Sequence, residues 1–118
     1  MNLNVVDQNL QIEFTFKEQL LAARFNKRWQ IPLAHIIQVT VAQPQKRRRE
    51  LRAPGTFFPG VIKTGTYYTD QGKEFWYVNQ EKNYLTIELK DESYKRIILT
   101  LDNNESWQQT LSQLSTAQ

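Results

Sequence analysis

The residues best suited to chemistry lie in one stretch, where Lys46, Arg47, Arg48, Arg49 and Arg52 precede Phe57 and Phe58. Guanidinium groups pair bidentately with phosphate or carboxylate, so several on one loop can hold an anionic surface. Beside an acidic membrane each basic side chain contributes about 1 kcal/mol. The two phenylalanines add groups that insert among lipid headgroups or stack on a base. Residues 46–52 hold five of the 15 Lys and Arg and one of the 12 Asp and Glu, a local charge of +4. The rest of the chain sets 10 positive against 11 negative, or −1, so all of the net +3 sits here. A local patch of this kind attracts anions without making a uniformly basic coat for nucleic acid. The same pattern also fits a solvated loop whose phenylalanines fold inward between Pro54 and Pro59.

Other chemistries find little support. The chain has no cysteine, which removes disulfides, thiolate catalysis and sulfur-bound metal. His35 is the only histidine and has no second His or Cys to share a metal with, nor a Ser-His-Asp spacing. It reads as a surface residue at a corner. Glu88, Asp91 and Glu92 gather at a turn and are explained by turn chemistry. No Gly-Lys-Ser/Thr follows the glycines, so a phosphate-binding P-loop is out. No nucleophile–base pair or paired acids can be proposed from spacing, and an enzyme is the least favoured class. No cofactor or metal is expected.

The elements that must position the basic stretch are mostly strands. At 118 residues the chain makes one domain, 1–118, large enough for its own core. Leu10, Ile12, Phe14 and Phe16 alternate with Gln11, Glu13 and Thr15, the period of a half-buried strand. Lys17–Leu21 breaks that alternation as a turn of helix or a corner, a strand runs through Ala22 to Phe25, and Asn26-Lys27-Arg28 turns into Trp29-Gln30-Ile31. Pro32 marks a strand end or edge. Ile37, Val39 and Val41 then share one strand face, which Pro44 closes. After the basic loop, Val61–Thr69 and Lys73–Val78 flank Asp70-Gln71-Gly72 as a hairpin. Pro54-Gly55 and Pro59-Gly60 suit type II turns that would shape the loop. Leu85, Ile87 and Leu89, then Ile97, Leu99 and Leu101, mark two more strands. Asp102 and Glu105 have capping-box spacing, opening a helix over about 102–115 with Trp107, Leu111 and Leu114 on its apolar side. Tyr67, Tyr68, Trp76, Tyr77 and Tyr84 fall on or beside the hairpin. One set packs inward, and the other offers an aromatic surface or edge for association, including with a second copy.

Seven or eight short strands and one amphipathic helix predict a mainly β fold. It would be an antiparallel, partly open barrel or two orthogonal sheets, capped by the C-terminal helix. This layout resembles a pleckstrin-homology (PH) domain. Ile31-Pro32-Leu33-Ala34-His35-Ile36 is similar to the I-P-L-x-x-I step of bacterial PH-like domains. Leu51-Arg52-Ala53-Pro54-Gly55-Thr56, with Pro59-Gly60-Val61-Ile62, Gly65-Thr66-Tyr67 and Glu74-Phe75, is similar to a group of small bacterial members. The eukaryotic inositol-phosphate motif, Lys…(Lys/Arg)-x-Arg on the first hairpin, is incomplete. Lys17 and Arg24 are present, but Asn26 stands where the last Arg belongs, and Lys27 and Arg28 come too late. Arg47-x-Arg49 falls in another loop.

The expectation is a non-enzymatic PH-like adaptor that binds a protein partner or itself, with the loop 46–60 and the hairpin as contact. The alternatives are peripheral attachment to anionic lipid through residues 46–52 and, less favoured, nucleic-acid binding. No small-molecule substrate is expected. The N-terminus has neither basic region nor apolar core of a signal peptide, and no apolar run reaches the ~20 residues that cross a bilayer. A cytoplasmic protein, peripheral at the membrane if lipid is its ligand, is the expected location.

Overall fold

A computed structural model describes residues 1–22, 26–44, 51–58 and 62–116, with backbone alone at 51–58, 62 and 116. Nine strands are present among them. β1 (Asn2–Val6), β2 (Asn9–Glu13) and β3 (Arg28–Pro32) form one sheet in that order. β4 (Ile36–Thr40), β5 (Leu51–Phe58), β6 (Ile62–Thr69), β7 (Gly72–Val78), β8 (Tyr84–Leu89) and β9 (Tyr94–Thr100) form a second. Its order is β4-β8-β9-β7-β6-β5. Helix α1 (Phe16–Ala22) joins β2 to β3, and α2 (Asn104–Thr116) ends the fold.

Alternation explains most of the core. Leu10, Ile12 and Ile31 from the first sheet, with Phe14 just beyond β2, meet Phe75, Tyr77, Leu85, Ile87, Leu89, Ile97 and Leu99 from the second. Burial of that apolar surface is the main stabilising force. Phe75 lies at its centre, in edge contact with Phe14 (5.7 Å), Trp29 (5.3 Å) and Tyr94 (6.2 Å). Leu111 of α2 is fully buried in the same cluster, with Trp107 and Leu114 packed against it, as their spacing predicts. Gln108 donates to the Val39 carbonyl (3.3 Å), so the helix also satisfies part of the exposed edge of β4.

Several expectations are corrected. β1 has no counterpart in the sequence reading, because Asn2, Asn4 and Val6 leave it only one buried residue, Leu3. Phe16 does not continue the face of β2. It opens α1, where Thr15 caps the helix: Glu18 N donates to Thr15 Oγ1 (3.2 Å) and Thr15 N to Glu18 Oε1 (2.7 Å), the reciprocal bonds of a capping box. Ala22 ends that helix and is not the start of a strand, and residues 23–25 lie outside those described. A bulge between Ile36 and Gln38 turns Ile37 outward, 60% exposed, so Ile36 and Val39 are the buried residues of β4. Pro54-Gly55 lies within β5 and makes no loop turn, and Pro59-Gly60 is outside the described residues. α2 starts at Asn104, and neither Asp102 nor Glu105 makes the expected reciprocal cap.

The largest departure is in topology. β7 and β9 run parallel, in a sheet expected to be antiparallel throughout. β9 inserts between β7 and β8, so the connection 79–83 must pass over its end. Three bonds pin it there: Leu101 N to Asn83 O (3.0 Å), Asn79 N to Thr100 Oγ1 (3.1 Å) and Thr100 Oγ1 to Asn79 Oδ1 (2.8 Å).

Two stability measurements check this core. Phe75→Ala is expected to cost about 3–5 kcal/mol in urea unfolding, the range for deleting a well-packed ring. Burial, aided by the Glu18 carboxylate, pushes the Tyr77 phenol up from 10.0 to about 12. The folded state therefore keeps a proton that the unfolded state loses above its lower value. Stability from this group is full below about pH 10 and declines between pH 10 and 12, by at most about 1.4 kcal/mol per pH unit. The unfolding midpoint of the native chain is expected to fall relative to that of Tyr77→Phe over that window.

Candidate binding surfaces

Strand register decides where the candidate residues fall. Arg52, Phe57 and Phe58 belong to β5, so the expected loop 46–60 is in part a strand at the sheet edge. Arg52 stands opposite Tyr67, Phe57 opposite Lys63 and Phe58 opposite Ile62, with a shift between Arg52 and Gly55. Lys46, Arg47, Arg48 and Arg49 lie outside the described residues.

The face of the six-stranded sheet turned away from the main core carries a charged and aromatic cluster. Tyr67, Trp76, Val78 and Ile98 form a second buried apolar group, with Tyr84 against it. Within it, fully buried Glu74 is held from two sides. Trp76 Nε1 and Arg96 Nη2 donate to Oε1 (3.0 and 3.1 Å), and Arg96 Nε lies 2.8 Å from Oε2, close enough for ion pairing. Lys63 Nζ stands 3.6 Å from the Trp76 ring centre and 4.4 Å from that of Tyr67, a cation over two electron-rich faces. Tyr67 and Trp76 meet edge to face at 6.3 Å.

This corrects the expected aromatic surface. Tyr67, Trp76 and Tyr77 are buried, Tyr84 is half-buried, and Tyr68 alone of the five is exposed. The groups of the cluster are each other's partners, and they hold β6, β7 and β9 in register. His35 is likewise engaged: half-buried in a single 3₁₀ turn (Leu33–His35), it pairs through Nδ1 with Glu92 of the β8–β9 turn.

The residues missed by sequence reasoning are Phe16 and Leu20. They are 76% and 67% exposed, one helical turn apart on α1. Lys17 between them is exposed too. α1 packs on β5 and β6, and Thr64 Oγ1 ties β6 to its end by donating to the Leu21 carbonyl (2.7 Å). The patch therefore lies beside the strand into which the basic run leads. The signal was available, since Thr15-x-x-Glu18 is a helix start and an i, i+4 pair shares one face. Among the described residues no three His, Cys, Asp or Glu gather as metal ligands, and no helix is long and apolar enough to cross a membrane.

Two sheets enclosing one core, closed by a C-terminal helix, make a PH-type domain. The match to the Bacterial PH domain model spans residues 7–115, and the chain belongs to that family. It is a family of binding modules. No curated protein and no solved structure matches the chain.

The Glu74–Arg96 pair gives a direct test of the cluster. Glu74→Leu or Arg96→Met alone leaves a buried charge without its partner and is expected to cost about 3–5 kcal/mol in urea unfolding. The double variant is expected to cost far less than the sum, about 1–2 kcal/mol, mostly for the Trp76 N–H left unpaired.

Proposed function

We propose that this domain is a non-enzymatic adaptor of the cytoplasm that binds a protein, with α1 and the adjoining edge strand β5 as its contact. The observation that carries the reading is the exposed pair Phe16 and Leu20. Single exposed apolar residues are ordinary on any surface. Two large ones on adjoining turns of a packed helix form an anchor of the type that fills a partner's pocket. Exposed Lys17 and Arg28, with the basic run 46–52 leading into β5, bias the choice toward a partner that is apolar with an acidic rim.

The second reading is peripheral attachment to anionic lipid, which the same conjunction of Phe16, Leu20 and the basic run favours. Ionic strength separates the two, since attachment dominated by the basic run weakens steeply with salt and an apolar anchor does not. A photo-crosslinking side chain at position 20, compared with one at exposed Lys95 on β9, tests the first reading in cells. A discrete protein adduct from position 20 alone, lost in Phe16→Ser, is the expected result. Sedimentation with anionic vesicles that is lost at high salt, abolished by Arg47, Arg48 and Arg49 to Ser, and unaccompanied by any protein adduct would move the assignment to lipid.

A further inference from the structure

The strand crossing that pins residues 79–83 over the end of β9 also opens a cleft of about 320 Å³ between α1, the end of β7 and the approach to α2. Its volume falls in the range of small-molecule sites, ~300–1,000 Å³. Among its lining residues are Glu18, Tyr77, Asn79, Gln80, Asp102 and Asn103. Tyr77 is only 6% exposed, yet its hydroxyl has no hydrogen-bond partner among the described residues. Nor is that oxygen sealed away from solvent, so it opens into the cleft that the residue lines. A solvent-reached hydroxyl with no protein partner is free to donate to a ligand that displaces water from it.

The remaining polar groups narrow the choice of ligand. Glu18 is committed, with Oε1 accepting from Thr15 N and Oε2 from the Met1 ammonium, each at 2.7 Å. Thr100 and the Asn79 carbonyl oxygen Oδ1 are bonded to each other. Left open are the Tyr77 O–H, the Asn79 amide N–H groups, the side-chain amides of Gln80 and Asn103, and the Asp102 carboxylate. That set mixes donors and acceptors. The Asp102 carboxylate repels an anion, the Met1 ammonium that offsets Glu18 repels a cation, and a cation has no use for the several N–H and O–H donors. Hydroxyl groups, which each donate and accept, match it.

We propose that this cleft binds a small uncharged polyhydroxyl compound, a monosaccharide or open-chain polyol, with the Tyr77 hydroxyl as its buried anchor. Asn79, Gln80 and Asn103 supply further donors, and Asp102 accepts. The Tyr77 phenol, protonated at physiological pH even at its ordinary value of 10.0 and raised further by burial, is able to donate. The site is separate from Phe16 and Leu20, so either reading can fail alone.

The test is a titration of the ¹⁵N-labelled full chain with glucose and with glycerol, followed by amide shifts, with inorganic phosphate and methylammonium as charged controls at matched ionic strength. Saturable shifts centred on Tyr77, Asn79, Gln80 and Asp102 with at least one polyol are expected. Tyr77→Phe keeps the ring and should weaken that binding roughly fivefold to tenfold, the loss of one hydrogen bond. Ile37→Ser, on the exposed bulge of β4 and outside the cleft, should leave it unchanged. The proposal is overturned if neither polyol gives saturable shifts at these residues, if Tyr77→Phe binds as well as the native chain, or if only phosphate or methylammonium saturates.

Discussion

The parallel pairing of β7 with β9 depends on a buried carboxylate finding a buried guanidinium. Glu74 and Arg96 are register partners across these strands, on the face opposite the main core. A slip of β9 by one residue would carry Arg96 to the core face, turn Ile97 out of it and leave Glu74 without its partner, because side chains alternate sides. Apolar contacts are not directional and tolerate small offsets. A two-point ion pair with an added indole N–H does not, so this pair specifies the register that the apolar residues stabilise. Lys63 over Trp76 extends the same arrangement to β6.

From that register the rest of the domain follows. With β9 beside β7, β8 falls one place further out, and the chain between β7 and β8 has to bridge β9. The bridge is stitched down by Asn79, Asn83 and Thr100, and the cleft beside Tyr77 is the space it leaves. β6 then follows β7 by the hairpin at Asp70 and Gln71, and β5 becomes the edge strand. α1 packs against that edge, which brings the apolar pair Phe16 and Leu20 beside the strand entered from the basic run. A binding surface on α1 is thus a consequence of how the sheet is ordered, as well as of which residues the helix carries.

The two faces of the sheet explain why aromatic residues misled a reading made from pattern alone. Trp76 and Tyr67 alternate with core residues, which in a sheet covered on one side would place them in water. Here the outward face is itself buried around the ion pair, and cations cover the rings. The three most exposed large apolar side chains among the described residues, Phe16, Leu20 and Ile37, come instead from two local irregularities: the short helix α1 and a bulge in β4.

By itself the sequence determined the elements whose burial repeats locally. Leu85, Ile87 and Leu89, then Ile97 and Leu99, alternate at the period of a strand, and Trp107, Leu111 and Leu114 return at that of a helix. These spacings hold whatever the neighbours are, and with the Ile31–Ile36 step they identified a mainly β, PH-like domain. The tertiary structure alone decided that β7 and β9 are parallel, that Glu74 meets Arg96 and that Tyr77 faces a cleft. Those features join residues far apart in the chain, and the energy that selects them arises only when the strands are side by side. No local spacing carries a trace of it.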